Sequence, residues 1–252
     1  REQNRRAQGQ NKFISLAEAR TNKTKINWNT SHFHKPTFLG TKVFSNYSLE
    51  KLVPFIDWTP FFHTWEMKGS YPKILADPLR GEEAKKLFED AQSMLQKIIA
   101  ENWLSANGVI GFWPANTIND DDIEVYEDDT RTVIKTVLHT LRQQTKKPAN
   151  EPNIALADFI APKGHADYIG GFAVSTGFGI DDKVAAFEKD HDEYSSIMLK
   201  AIADRLAEAF SEYMHQLVRK EMWAYAKNEM LTREELVQEE YVGIRPAQGY
   251  PA

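Results

Sequence analysis

Glu82-Glu83-Ala84-Lys85-Lys86-Leu87-Phe88-Glu89-Asp90-Ala91-Gln92-Ser93-Met94-Leu95-Gln96-Lys97-Ile98-Ile99-Ala100-Glu101-Asn102 reads as one amphipathic helix. Its apolar residues, Ala84, Leu87, Phe88, Ala91, Met94, Leu95, Ile98 and Ile99, recur at three- and four-residue steps. They therefore share one stripe that has to be buried. Shortly after it, Gly108-Val109-Ile110-Gly111-Phe112 reads as a buried strand. Pro114 should stop that strand, because it has no N–H to give to a ladder.

Working outward, a helix is expected from Leu49 to about Phe55, ending at Trp58-Thr59-Pro60. On the other side, Ile123 to Tyr126 alternates and reads as a strand. Thr132 to Gln144 reads as a helix through Val133, Val137, Leu138 and Leu141. Leu156 to Ile160 and Tyr168 to Ser175 read as strands, parted by Pro162-Lys163-Gly164. The longest helix is expected from about Asp181 to Tyr225, with Ile202, Leu206, Phe210, Tyr213 and Leu217 on one side. No repeat of solenoid period is present. The mixture predicts an α+β fold in which long helices pack around a mainly antiparallel, twisted β-sheet. Residues 1–35 are polar and basic, with a weak apolar set at Phe13, Leu16 and Ala17. They read as a linker or a tail, and 36–252 as the folded domain.

Composition narrows the function. The chain has 252 residues, 42% hydrophobic, enough for a proper core. Its net charge of −5 gives no general nucleic-acid footprint. It has no cysteine, which excludes disulfides, thiolate metal sites and a cysteine nucleophile within this sequence. No apolar run approaches the ~18 residues of a membrane span, and the start lacks a signal-peptide core. No metal site is expected: His63 with Glu66, and His191 with Asp192, are too few ligands. Asp120-Asp121-Asp122 and Glu127-Asp128-Asp129 lack EF-hand spacing and read as a solvated acidic edge flanking a strand. Gly170-Gly171 and Gly177-Phe178-Gly179 do not form the glycine-rich turn of a Rossmann-like nucleotide site.

The richest chemistry lies at the end: Gly243-Ile244-Arg245-Pro246-Ala247-Gln248-Gly249-Tyr250-Pro251-Ala252, an Arg-x-x-x-Gly-Tyr-Pro pattern. Two prolines bracket a glycine, so this backbone is neither helix nor central strand. Glycine lets a ligand approach the main chain, arginine offers a fork for a carboxylate, and tyrosine offers a flat face. An ordinary surface turn would carry the same composition.

This loop closely resembles the S-adenosylmethionine (AdoMet) binding motif of the C-terminal activation domain of cobalamin-dependent methionine synthase. Supporting stretches follow in order: Ile56-Asp57-Trp58-Thr59-Pro60-Phe61-Phe62, Gly111-Phe112-Trp113-Pro114-Ala115-Asn116, Asp120 to Tyr126, Leu156 to Pro162, and Ala203 to Ala209. The resemblance runs from about Leu39 to Ala252. It implies an AdoMet-binding activation domain over 36–252, truncated at its C-terminal end, with 1–35 as the linker from a cobalamin domain. It implies AdoMet contacts at Asp57, Glu208, Arg245, Ala247, Gly249 and Tyr250. Arg245 would meet the ligand carboxylate and Asp57 its ammonium, while Tyr250 and the backbone of Ala247 and Gly249 would line the adenosine. Taken alone, Asp57 also reads as a helix-terminal aspartate beside Thr59-Pro60. Glu208, about 200° around its helix from Leu206, also reads as a solvated glutamate.

The implied role is reactivation within a methyltransferase. AdoMet and one electron from flavodoxin or a related flavoprotein would return cob(II)alamin, held by a neighbouring domain, to methylcobalamin in methionine biosynthesis. No residue here need act as nucleophile, acid or base, and orientation is the protein's contribution. The implied compartment is the cytoplasm, with no nucleic-acid or membrane partner. A non-catalytic docking module for a cobalamin domain or flavodoxin is the alternative. An independent small-molecule methyltransferase is disfavoured by the missing glycine-rich turn. The exposed part of Gly164 to Gly179 and the stretch Trp58 to His63 are the candidates for facing the corrin.

Overall fold

The computed structural model describes residues 13–232, 235–236 and 238–246. The chain divides into two compact units. One draws its described residues from Arg1–Gly40, Gly111–Gly171 and Arg219–Ala252, the other from Thr41–Ile110 and Phe172–Val218. The α+β class holds. Five strands, β1 (Gly40–Tyr47), β2 (Ser105–Ile118), β3 (Asp122–Tyr126), β4 (Ile134–His139) and β5 (Asp167–Phe178), share one sheet in which the β2–β3 and β3–β4 pairs are antiparallel.

In the unit built on Thr41–Ile110 and Phe172–Val218, the helices carry the core. These are α2 (Thr59–Thr64), α3 (Gly81–Ala100), α4 (Ile180–Lys189) and α5 (Glu193–Leu217). Helix α3 is the expected amphipathic helix, and Ala84, Leu87, Ala91, Leu95 and Ile98 of its stripe are buried. Glu82 and Glu83 in its first turn and Lys97 in its last complement the helix dipole. Against it sits an aromatic cluster: the Trp58 and Phe88 rings meet edge-on at 5.1 Å, and Phe61 and Phe62 are buried beside them. Along α5, Ile202, Leu206, Phe210, Met214 and Leu217 are buried. Gly108 of β2 packs tightly here, since a Cβ on it would come within 3.2 Å of the Phe210 ring and 3.3 Å of Val174.

The long helix expected over Asp181–Tyr225 is two helices followed by a π-turn over Val218–Met222. The break has a local cause. His191 adopts a left-handed φ of 57°, and the Asp192 carboxylate then accepts the Ser195 N–H at 2.9 Å as the cap of α5. The Leu49–Phe55 helix is likewise two short 3-10 turns, Leu49–Lys51 and Val53–Phe55, with Pro54 inside the second. Pro114 does not stop β2. It lies just before Ala115, where the β2–β3 ladder begins, so no ladder bond with β3 requires its missing N–H.

In the other unit, Thr132–Gln144 is not a helix. Its centre is β4, paired with β3 through Asp122↔His139, Ile123↔Leu138 and Glu124↔Val137. The run is rich in β-branched residues, and its apolar stripe is not buried: Val133 is 59% and Leu141 70% exposed. Leu156–Phe159 is a 3-10 turn and not a strand. Asp158 explains this turn, since its carboxylate caps the Ala155 N–H at 3.1 Å and also receives Arg142.

The Arg142 side chain is 0% exposed. It donates through Nε to Asp121 at 2.6 Å and through its two terminal nitrogens to Asp158 at 2.7 and 2.9 Å. It also reaches the Asn153 carbonyl at 2.7 Å. Asp121 is therefore a buried partner and not part of a solvated edge. Several other carboxylates between Asp120 and Asp129 are paired with bases from elsewhere in the unit. Lys23 meets Asp120 at 2.6 Å, Lys163 meets Glu124 at 2.7 Å, and Lys35 pairs with Asp129.

Residues 13–35 lie along this unit. Helix α1 (Leu16–Thr21) opens on a capping box in which Ser15 and Glu18 bond reciprocally. Phe13 bridges to Thr145, Arg20 reaches Asp121 at 2.6 Å, and the Asn22 amide donates to Asn153 at 2.8 Å. Among the described residues, no helix is long and apolar enough to cross a membrane.

Replacing Arg142 by alanine would leave the buried Asp158 without its cation and Asp121 with Arg20 alone, so Arg142→Ala should lower unfolding stability by about 3–5 kcal/mol. Urea denaturation measures this, and a loss under about 1 kcal/mol would contradict the role given to Arg142.

A pH dependence follows as well. A hydrogen bond from Lys23 holds Asp120 below its ordinary range, and one from Lys163 does the same for Glu124. A carboxylate held low contributes stability above its unfolded pKa of about 4, and that contribution is lost as pH falls through the folded value. Stability should therefore fall from about pH 5 downward, and less steeply in Glu124→Gln. An equal slope for the variant in acid titration would refute the contribution of Glu124.

Candidate functional site

Asp57 is positioned by its neighbours. Ile56 and Trp58 are both buried, so the residue between them turns outward, and its side chain is exposed. Its Oδ1 accepts the N–H of Thr59, the first residue of α2, at 3.1 Å. The helix-terminal reading of this aspartate is thus realised in the structure, on a carboxylate that also faces solvent. Phe55, two residues earlier, meets Tyr213 edge-on at 5.1 Å, so this turn is seated on α5.

Glu208 lies on α5 and is exposed, between the half-buried Ala207 and the buried Ala209. Both α2 and the Val53–Phe55 turn pack on α5, so Asp57 and Glu208 stand on adjoining elements of one unit. The aromatic part of the Trp58–His63 candidate is buried. Trp58, Phe61 and Phe62 are core residues, because their rings fill the space against Phe88.

Arg245 belongs to the other unit, where it is partly buried at the end of the described chain. Ala247, Gly249 and Tyr250 lie outside the described residues. The approach to Arg245 is well defined. Gly243 takes a φ of +95°, and a Cβ there would stand 3.1 Å from the Tyr225 hydroxyl. That combination of left-handed backbone and close approach calls for glycine. Burial pushes the Tyr225 hydroxyl up to about 12. Tyr225, Glu229, Met230, Tyr241 and Val242 line a cavity of about 340 Å³ in the same segment.

A feature that sequence reasoning missed underlies this segment. Arg219 is 1% exposed and forks onto Glu229, with Nε to Oε2 at 2.8 Å and a terminal nitrogen to Oε1 at 2.6 Å. The Tyr241 ring covers its guanidinium at 4.9 Å. In sequence, Val218-Arg219-Lys220-Glu221 looks like the charged last turn of a helix, and nothing in the spacing marks Arg219 as buried. Among the described residues, no group of three or more His, Cys, Asp or Glu could hold a metal ion.

The fold matches that of a solved reactivation domain, the crystal structure of the MetH reactivation domain bound to AdoHcy. The two share 51% identity and a TM-score of 0.90, over 95% of this chain and 73% of that one. Residues 48–252 match the model of the activation domain of vitamin B12-dependent methionine synthase. The chain belongs to this family of vitamin B12-dependent methionine synthase activation domains.

Proposed function

We propose that this activation domain binds AdoMet through Asp57, Glu208, Arg245, Ala247, Gly249 and Tyr250 and orients its methyl group for transfer. The observation that carries this reading is the 51% identical reactivation domain with AdoHcy bound, AdoHcy being AdoMet without its methyl group. The donor set fits the ligand. A partly buried arginine suits a carboxylate, and an exposed aspartate between two buried apolar residues suits an ammonium. Arg245 and Asp57 would fix the amino-acid end, and Tyr250 with the loop backbone would fix the adenosine. Fixing both ends sets the direction of the sulfonium methyl, which is the orienting role an enzyme plays when the reactants supply the reactivity.

Cobalamin, carried by a neighbouring domain, supplies the centre that takes the methyl group. We infer that this chain docks on that domain, with flavodoxin or a related flavoprotein as electron donor, in the cytoplasm. We assign no acid, base or nucleophile to the chain itself. A docking role without AdoMet is the weaker reading, because the similar reactivation domain holds AdoHcy.

Arg245→Ala should weaken AdoMet binding by about 1.5–3 kcal/mol, the range for hydrogen bonds to charged groups. Calorimetric titration tests it, and an unchanged affinity would sink the assignment of Arg245.

A further inference from the structure

The carboxylate contact expected of Arg245 has value only if its backbone is held still before the ligand arrives. The segment that carries it leaves the π-turn at Val218–Met222 and folds back on itself. Arg219 is the hub of that fold-back. Its own carbonyl accepts the Ala226 N–H at 2.9 Å, which starts the reversal. Its guanidinium forks onto Glu229 in the outgoing limb and lies under Tyr241 in the returning limb. Tyr241 is four residues from Arg245. Between them, Gly243 is seated against the Tyr225 hydroxyl. One buried cation therefore ties the root, the outgoing limb and the returning limb of the segment that ends at Arg245.

We propose that Arg219 is a positioning residue for AdoMet binding: with Glu229 and Tyr241 it clamps the segment that presents Arg245 to the ligand carboxylate. This rests on the reading of Arg245 given above. The geometry requires arginine. A lysine would keep the charge, but it has neither the planar fork that meets both Glu229 oxygens nor the flat face that lies on Tyr241. Two ligands separate a positioning role from a merely structural one. AdoMet carries the amino-acid end, whereas 5′-methylthioadenosine lacks it and keeps the adenosine.

The test is a double-mutant cycle of Arg219→Lys with Arg245→Ala, read by calorimetry with AdoMet and with 5′-methylthioadenosine. Tyr241→Leu serves as a second break of the clamp should Arg219→Lys fold poorly. We expect either clamp variant alone to lose about fivefold or more in AdoMet affinity, and less than about twofold once Arg245 is already alanine, since coupled residues are non-additive. Affinity for 5′-methylthioadenosine should fall by less than affinity for AdoMet, because it lacks the carboxylate that Arg245 meets and keeps only the adenosine contacts of the same loop. Losses that add, or that fall equally on both ligands, would overturn the positioning role. Arg245→Ala weakening AdoMet while neither clamp variant does would refute the clamp alone. If Arg245→Ala itself has no effect, the reading of Arg245 fails and the clamp falls with it.

Discussion

A guanidinium with no access to solvent has to be matched by carboxylates, and Arg142 places that demand at the centre of its unit. Asp121 answers from the turn before β3, and Asp158 answers from the Leu156–Phe159 turn. Asp121 and Arg142 bracket the β3–β4 hairpin, one at its start and one just past its end. Asp158 then uses an oxygen that binds Arg142 to cap Ala155 as well, so the turn and the ion pair are one structure. Residues 13–35 fasten onto the same network, through Arg20 on Asp121 and the Thr24 N–H on Asp158.

This is also where sequence reading falls short. The α3 stripe was legible because its periodicity comes from burial on one side, and the structure buries that side. The Thr132–Gln144 stripe has similar spacing but no burial behind it, and its β-branched residues follow the strand ladder instead. Leu156-Ala157-Asp158-Phe159 looks like a short strand until Asp158 is given its partners. Those partners are 16 residues away in Arg142 and three away in Ala155. The α4–α5 break was marked by Asp192 and Ser195, a cap signal that a continuous reading of charged residues passes over.

The residues of the proposed site stand out in the sequence to different depths. Asp57 is an acid inside an apolar stretch, and the structure turns it outward between two buried neighbours, as such an acid requires. Glu208 carries no mark of its own, because any exposed glutamate on α5 would look the same. Arg245 is singled out as a candidate by the loop around it. The clamp at Arg219 is invisible in sequence, since its burial exists only when Glu229 and Tyr241 fold over it. A local pattern can mark a candidate ligand contact. It does not show the residue that holds that one in place.

The central proposal is that Arg245 and Asp57 recognise the carboxylate and the ammonium of AdoMet. A crystal structure of the chain with AdoHcy tests it most directly. The account predicts the Arg245 guanidinium within hydrogen-bond reach of the ligand carboxylate and the Asp57 carboxylate at its ammonium. A ligand whose carboxylate meets a different cation, with Arg245 out of reach, would contradict it.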